Sequence, residues 1–93
     1  MSENITIDEV RVRIAHHGER DTVAWADCVV NDAIALSNIC IRRDANGGLT
    51  LRYPASRSRR GNEHFYFRPI SAAAKATLDR AILGRLGELA GAS

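Results

Sequence analysis

Thr22-Val23-Ala24-Trp25-Ala26-Asp27-Cys28-Val29-Val30-Asn31-Asp32-Ala33-Ile34-Ala35-Leu36-Ser37-Asn38-Ile39-Cys40-Ile41-Arg42 decides the fold. Two apolar runs flank Asn31-Asp32, and both residues of that pair tolerate positive φ. The stretch is therefore expected to form an antiparallel hairpin, with strands over about 22–30 and 33–42. With a two-residue turn, Cys28 falls opposite Ala35 and Cys40 opposite Val23. That separates the thiols by about 16 Å of strand rise, too far for a disulfide, so both are expected to be reduced and structural. In this register one face presents Val23, Trp25, Val29, Ile34, Leu36 and Cys40. The other presents Ala24, Ala26, Cys28, Val30, Ala35, Ile39 and Ile41. Both faces are largely apolar and both should be covered. One helix covers only part of one face, so a second subunit is the expected cover for the rest, giving a strand-mediated homodimer.

The rest of the chain extends this sheet. Ile5-Thr6-Ile7 and Val10-Arg11-Val12-Arg13-Ile14 alternate with a period of two, as a half-buried strand does. His16-His17-Gly18-Glu19-Arg20-Asp21 is a polar turn, and Asp44-Ala45-Asn46-Gly47-Gly48 is the next. A fourth strand, Leu49 to Tyr53, ends at Pro54, which cannot donate to a central ladder. His64 to Phe67 is a short fifth strand. A helix then starts after Pro69-Ile70, with Ser71 as N-cap, although Ala74 three residues on denies it a capping box. Leu78, Ile82, Leu86 and Leu89 form its apolar stripe, its alanines favour the helical state, and Gly87 and Gly91 suggest fraying at its end. The expectation is one α+β domain over 1–93. A small antiparallel sheet of about five strands (about 5–67) precedes one C-terminal helix (about 71–89).

At 93 residues the chain has room for one domain with a modest core. Its apolar fraction of 45% is that of a globular protein. No apolar run is long enough to span a bilayer, and the polar start Met1-Ser2-Glu3-Asn4 is not a signal peptide, so a cytoplasmic location is expected. The net charge of +2 hides an uneven distribution. Residues 1–40 carry three arginines against seven acids, whereas residues 41–68 carry seven arginines against Asp44 and Glu63. Such asymmetry points to a local anion-binding surface.

Its centre is Arg52-Tyr53-Pro54-Ala55-Ser56-Arg57-Ser58-Arg59-Arg60-Gly61-Asn62-Glu63-His64-Phe65-Tyr66-Phe67-Arg68. Arginine forks bind phosphate oxygens and aromatic faces stack on bases, so this segment raises a nucleic-acid hypothesis. Arg57, Arg59 and Arg60 are the principal candidates, with Arg52 and Arg68 flanking them and Ser56 donating a further phosphate hydrogen bond. A solvated loop that keeps the protein soluble is the plainer account of the same residues. If four arginines each neutralise one phosphate, log K falls against log salt with a slope near about −3.6 on duplex DNA. Strand alternation separates Tyr66 from Phe65 and Phe67; the phenylalanines are expected in the core and Tyr66 exposed. Trp25 is expected in the core or a dimer interface. His16 and His17 point apart, His64 is alone, and no second ligand stands at a recognised spacing, so neither a metal nor a cofactor is expected. No nucleophile motif accompanies any histidine or carboxylate, and no enzyme is expected.

Laid end to end, the chain resembles the SpoVG family of bacterial septation and sporulation regulators. The likeness rests on Ile7-Asp8-Glu9-Val10-Arg11-Val12-Arg13-Ile14, Asn31-Asp32-Ala33-Ile34 and Asn38-Ile39-Cys40-Ile41. It continues through Asn46-Gly47-Gly48-Leu49, Tyr53-Pro54-Ala55-Ser56-Arg57 and Pro69-Ile70-Ser71 with Lys75, Leu78, Ala81, Ile82 and Leu83, so that it covers roughly residues 5–86. The chain resembles a divergent member. Its Pro54-Ala55-Ser56-Arg57 loop and its 43–48 turn each look one residue longer, Arg68 stands where relatives often have histidine, and Phe65-Tyr66-Phe67 is more aromatic. The resemblance implies a strand-mediated dimer that binds DNA, or RNA, through the basic loop and its surroundings. The alternative function is a protein-interaction module in septation or signalling, with the same arginines meeting an acidic protein.

Overall fold

The computed structural model describes residues 5–15 and 21–91. The expected turn with His16 and His17 and the start at 1–4 lie outside the described residues. Strands β1 (Ile7–Ile14), β2 (Thr22–Val30), β3 (Ile34–Arg43) and β4 (Leu49–Arg52) form one antiparallel sheet in chain order. Strands β5 (Ala55–Arg57) and β6 (Glu63–Phe65) form a separate two-stranded arm, and helix α1 (Ala72–Gly91) follows. The α+β class holds, with a correction: the last expected strand does not join the main sheet. Pro54 does end the sheet, but Ala55–Arg57 immediately begins a strand of its own, because a proline before a strand removes no bond from its ladder.

The central hairpin turns where expected, with Asn31 and Asp32 at φ 54° and 56°. The turn nevertheless includes Ala33, whose N–H donates to Val30 O at 2.9 Å, and Val30 pairs with Ile34. Asn31 also exchanges two bonds with Thr6: its N–H donates to Thr6 O, and its Oδ1 accepts from Thr6 N, each at 2.8 Å. The longer turn shifts the near half of the hairpin by one residue, so Cys28 faces Leu36 instead of Ala35. A β-bulge then breaks the register between Ala26 and Cys28, and beyond it Trp25 pairs with Cys40, not Val23. Asn38 sits in the bulge at φ 63°, and its N–H donates to Asp27 Oδ1 at 3.0 Å.

A one-residue slip turns every side chain over. Ile34 and Leu36 therefore move to the face of Cys28, while the bulge restores Cys40 to the face of Trp25. The cysteines stay on opposite faces and are both free and buried. The apolar content expected on the Trp25 face is thus reduced, and the homodimer expectation loses that support. Ile34 is exposed at one end of the sheet, at 59%.

The core lies between α1 and the other face. Ala24, Ala26, Cys28, Ile39 and Ile41 from the sheet meet Leu78, Ile82 and Leu86 from the helix, with Tyr53 at the margin. Ser71 caps the helix as expected, its Oγ accepting from Ala74 N at 3.1 Å. Leu89, expected in the apolar stripe, is 37% exposed, and the helix continues through Gly87. Phe67 packs edge-on against Tyr53 with ring centroids 6.0 Å apart, whereas Phe65, expected in the core, is 42% exposed. The cause is the end of β6 at Phe65, after which the chain bends and alternation no longer applies.

Tyr53 is 8% exposed and its hydroxyl has no hydrogen-bond partner among the described residues. Burial pushes its phenol well above the ordinary range, with Asp79 and Cys28 adding to the shift. Because the folded-state value is raised, this group's contribution to stability is complete below the ordinary tyrosine value of about 10 and is lost as pH rises above it. Tyr53→Phe should leave the neutral-pH melting temperature unchanged or higher, since it removes an unpaired buried hydroxyl, and should reduce the alkaline loss in a pH series of melts. Ile82 is fully buried, so Ile82→Ala should cost about 2–5 kcal/mol in a urea titration. Asp27→Ala should cost about 1–2 kcal/mol in the same assay, by leaving the bulge without its acceptor.

Candidate nucleic-acid interface

The arm owes its shape to a short hairpin. Ala55, Ser56 and Arg57 pair with Phe65, His64 and Glu63. Ser58 N–H donates to Asn62 O at 2.8 Å and Gly61 N–H to Ser58 O at 2.9 Å, while Ser58 Oγ accepts from Asn62 N at 3.1 Å. The loop between them is Arg59-Arg60-Gly61, with Gly61 at φ 83°, a left-handed position that glycine takes without strain. Arg59 and Arg60 thus occupy the tip of the arm and Arg57 its last paired position, all three exposed. Among the described residues none of the three has a carboxylate partner.

Tyr66 N–H donates to Pro54 O at 2.9 Å, closing the base of the arm. Arg52, at the end of β4, ties the arm to the main sheet by placing Nη2 2.9 Å from Glu63 Oε2. Arg52 is therefore part of the arm's anchorage as well as a flanking cation. Ser56 is exposed beside Arg57, and Tyr66 is 72% exposed at the arm's base.

Beside the arm, along β4, runs a groove of about 600 Å³ lined by Arg42, Arg43, Arg52, Arg68 and Lys75. Phe65 contributes an aromatic wall, and Asp44 is the carboxylate in the lining. Asp44 is turned into its own loop, where Oδ1 accepts from Asn46 N and Gly48 N, each at 2.9 Å. Arg42 lies 3.7 Å from Asp21, and Lys75 lies 2.8 Å from Asp79. Arg43 and Arg68 have no carboxylate partner among the described residues. The groove thus brings together Arg52 and Arg68, which the sequence singles out, with Arg42, Arg43 and Lys75, which it does not. Arg42 and Arg43 belong to the charge excess of residues 41–68, but only the β3–β4 pairing brings them beside Arg52. Lys75 is far from them in sequence and arrives through the helix.

The opposite, helix-free face of the sheet holds a second groove of about 470 Å³, bounded by the arm through Pro54, Ala55 and Glu63. Trp25 lies in its lining with Thr22, Asn38, Cys40, Arg42 and Arg52. A single cross-strand row runs through it: Arg13 opposite Trp25, Trp25 opposite Cys40, Cys40 opposite Arg52. Trp25 is half-buried there, so it belongs neither to the helix-side core nor to open solvent. Compared with known proteins, the chain matches no family model and no curated sequence.

Proposed function

We propose that this chain is a nucleic-acid-binding regulatory protein of the SpoVG type, acting by occupancy and catalysing no reaction. The observation that carries the reading is an arm presenting Arg57, Arg59 and Arg60 without carboxylate partners among the described residues, beside a groove lined by five cations. Arginine presents its donors in a fixed fork that matches phosphate, and a row of such forks along a groove tracks a backbone. Arg68 and the remaining donors of Arg52 extend the row, Ser56 adds a hydroxyl donor, and Tyr66 offers an exposed ring at its base. The protein acts in the cytoplasm and as a homodimer. In this reading the dimer contact is the end of the sheet at Ile34, which is 59% exposed. Two arms related by the dimer axis then engage one nucleic acid bivalently.

Replacing Arg57, Arg59 and Arg60 together with alanine should weaken binding in fluorescence anisotropy. It should also flatten the slope of log K against log salt by about 0.7–0.9 per arginine. The melting temperature and the oligomeric state should stay nearly as they were, because these side chains bury nothing. A triple variant that binds as well as the parent would overturn the site. Folded parent protein that binds neither DNA nor RNA at low salt would overturn the function and favour an acidic protein partner.

A further inference from the structure

We propose that the groove on the helix-free face takes an unpaired base, stacked on Trp25, so that the ligand of this protein is single-stranded nucleic acid. This rests on the nucleic-acid reading above and specifies its ligand.

The two grooves differ in their charge balance. Both cations that line the Trp25 groove are matched, Arg42 lying 3.7 Å from Asp21 and Arg52 2.9 Å from Glu63, and the neighbouring Arg13 lies 3.4 Å from Asp27. A phosphate entering there meets those carboxylates and is repelled. A neutral base meets an indole and a ring of donors and acceptors, including the side chains of Asn38, Arg42 and Arg52. The volume of about 470 Å³ falls in the usual range of small-ligand sites. Unmatched arginines stand outside the groove, on the arm that forms its wall. A neutral floor beside a cationic rim is the complement of a neutral base on an anionic backbone. Bases in a duplex are stacked on their neighbours and cannot lie against a tryptophan recessed beside an arm, whereas a single strand can turn one base out.

Trp25 is the chain's only tryptophan, so its emission reports this groove alone. The experiment titrates full-length protein at low salt with short single-stranded DNA and RNA oligonucleotides and with a duplex of the same sequence. Anisotropy and Trp25 fluorescence are followed together. A single strand of at least one type should bind more tightly than the duplex, quench Trp25 with the same midpoint as the anisotropy change, and protect it from acrylamide. Trp25→Ala should weaken single-strand binding by roughly 5- to 150-fold, the usual worth of one stacked base. Trp25→Phe, which keeps an aromatic face, should retain most of it. The wild-type quenching and protection decide the matter even if the alanine variant fails to fold. Binding seen by anisotropy with Trp25 emission and acrylamide access unchanged would overturn this inference and leave the arginine arm intact. Equal affinity for duplex and single strand would do the same. No binding to any probe would overturn both.

Discussion

The bond from Asn38 N–H to the Asp27 carboxylate underlies the arrangement of both faces of the sheet. It stabilises a left-handed residue in the middle of β3 and thereby allows one extra residue on that strand. Without it, the register set by the turn would continue, and Cys40 and Arg42 would point toward the helix. With it, Ile39 and Ile41 enter the core while Cys40 and Arg42 join Trp25 on the other side. The same carboxylate also lies 3.4 Å from Arg13 across the neighbouring strand, so one side chain links three strands.

The arginines around the two grooves divide into two populations that composition alone cannot separate. Arg13, Arg42 and Arg52, beside Trp25, are paired with Asp27, Asp21 and Glu63. Those at the arm tip, together with Arg43 and Arg68, have no such partner among the described residues. Ion pairs this exposed contribute about 0–1 kcal/mol each, so their consequence is one of field more than of stability. They reduce the potential over the Trp25 groove and leave it in place along the edge beside it. A charge count along the chain sums both populations and finds only the excess.

Local chemistry made much of the fold legible. Alternation located the strands, Asn31-Asp32 located the turn, and Ser71 located the start of the helix. The register was not legible, because Ala33 in the turn and Asn38 in the bulge carry no pattern that distinguishes them from ordinary strand residues. Their displacements nearly compensate: Trp25 and Cys40 share a face as expected, while Ile34 and Leu36 do not. The arm was hidden for a related reason. Ser56-Arg57-Ser58 is polar on both sides, as a two-stranded ribbon with no core of its own can be, and so it resembles a loop. At the interface, Arg57, Arg59 and Arg60 were visible as a cluster. Arg43 and Lys75 become neighbours only through strand pairing and helix packing, which no short window of sequence contains.

The ion pair between Arg52 and Glu63 gives the arm an unusual kind of tether. Glu63 is on the arm and Arg52 on the sheet, so the link between them is electrostatic and in competition with whatever anion approaches. Both side chains of the pair are partly open to water, so dissolved salt screens the tether. The set of the arm against the sheet therefore depends on ionic strength in a way that the strand ladders beneath it do not. At the arm's base the Tyr66–Pro54 hydrogen bond carries no net charge, so salt loosens one side of the arm and leaves the other as it was.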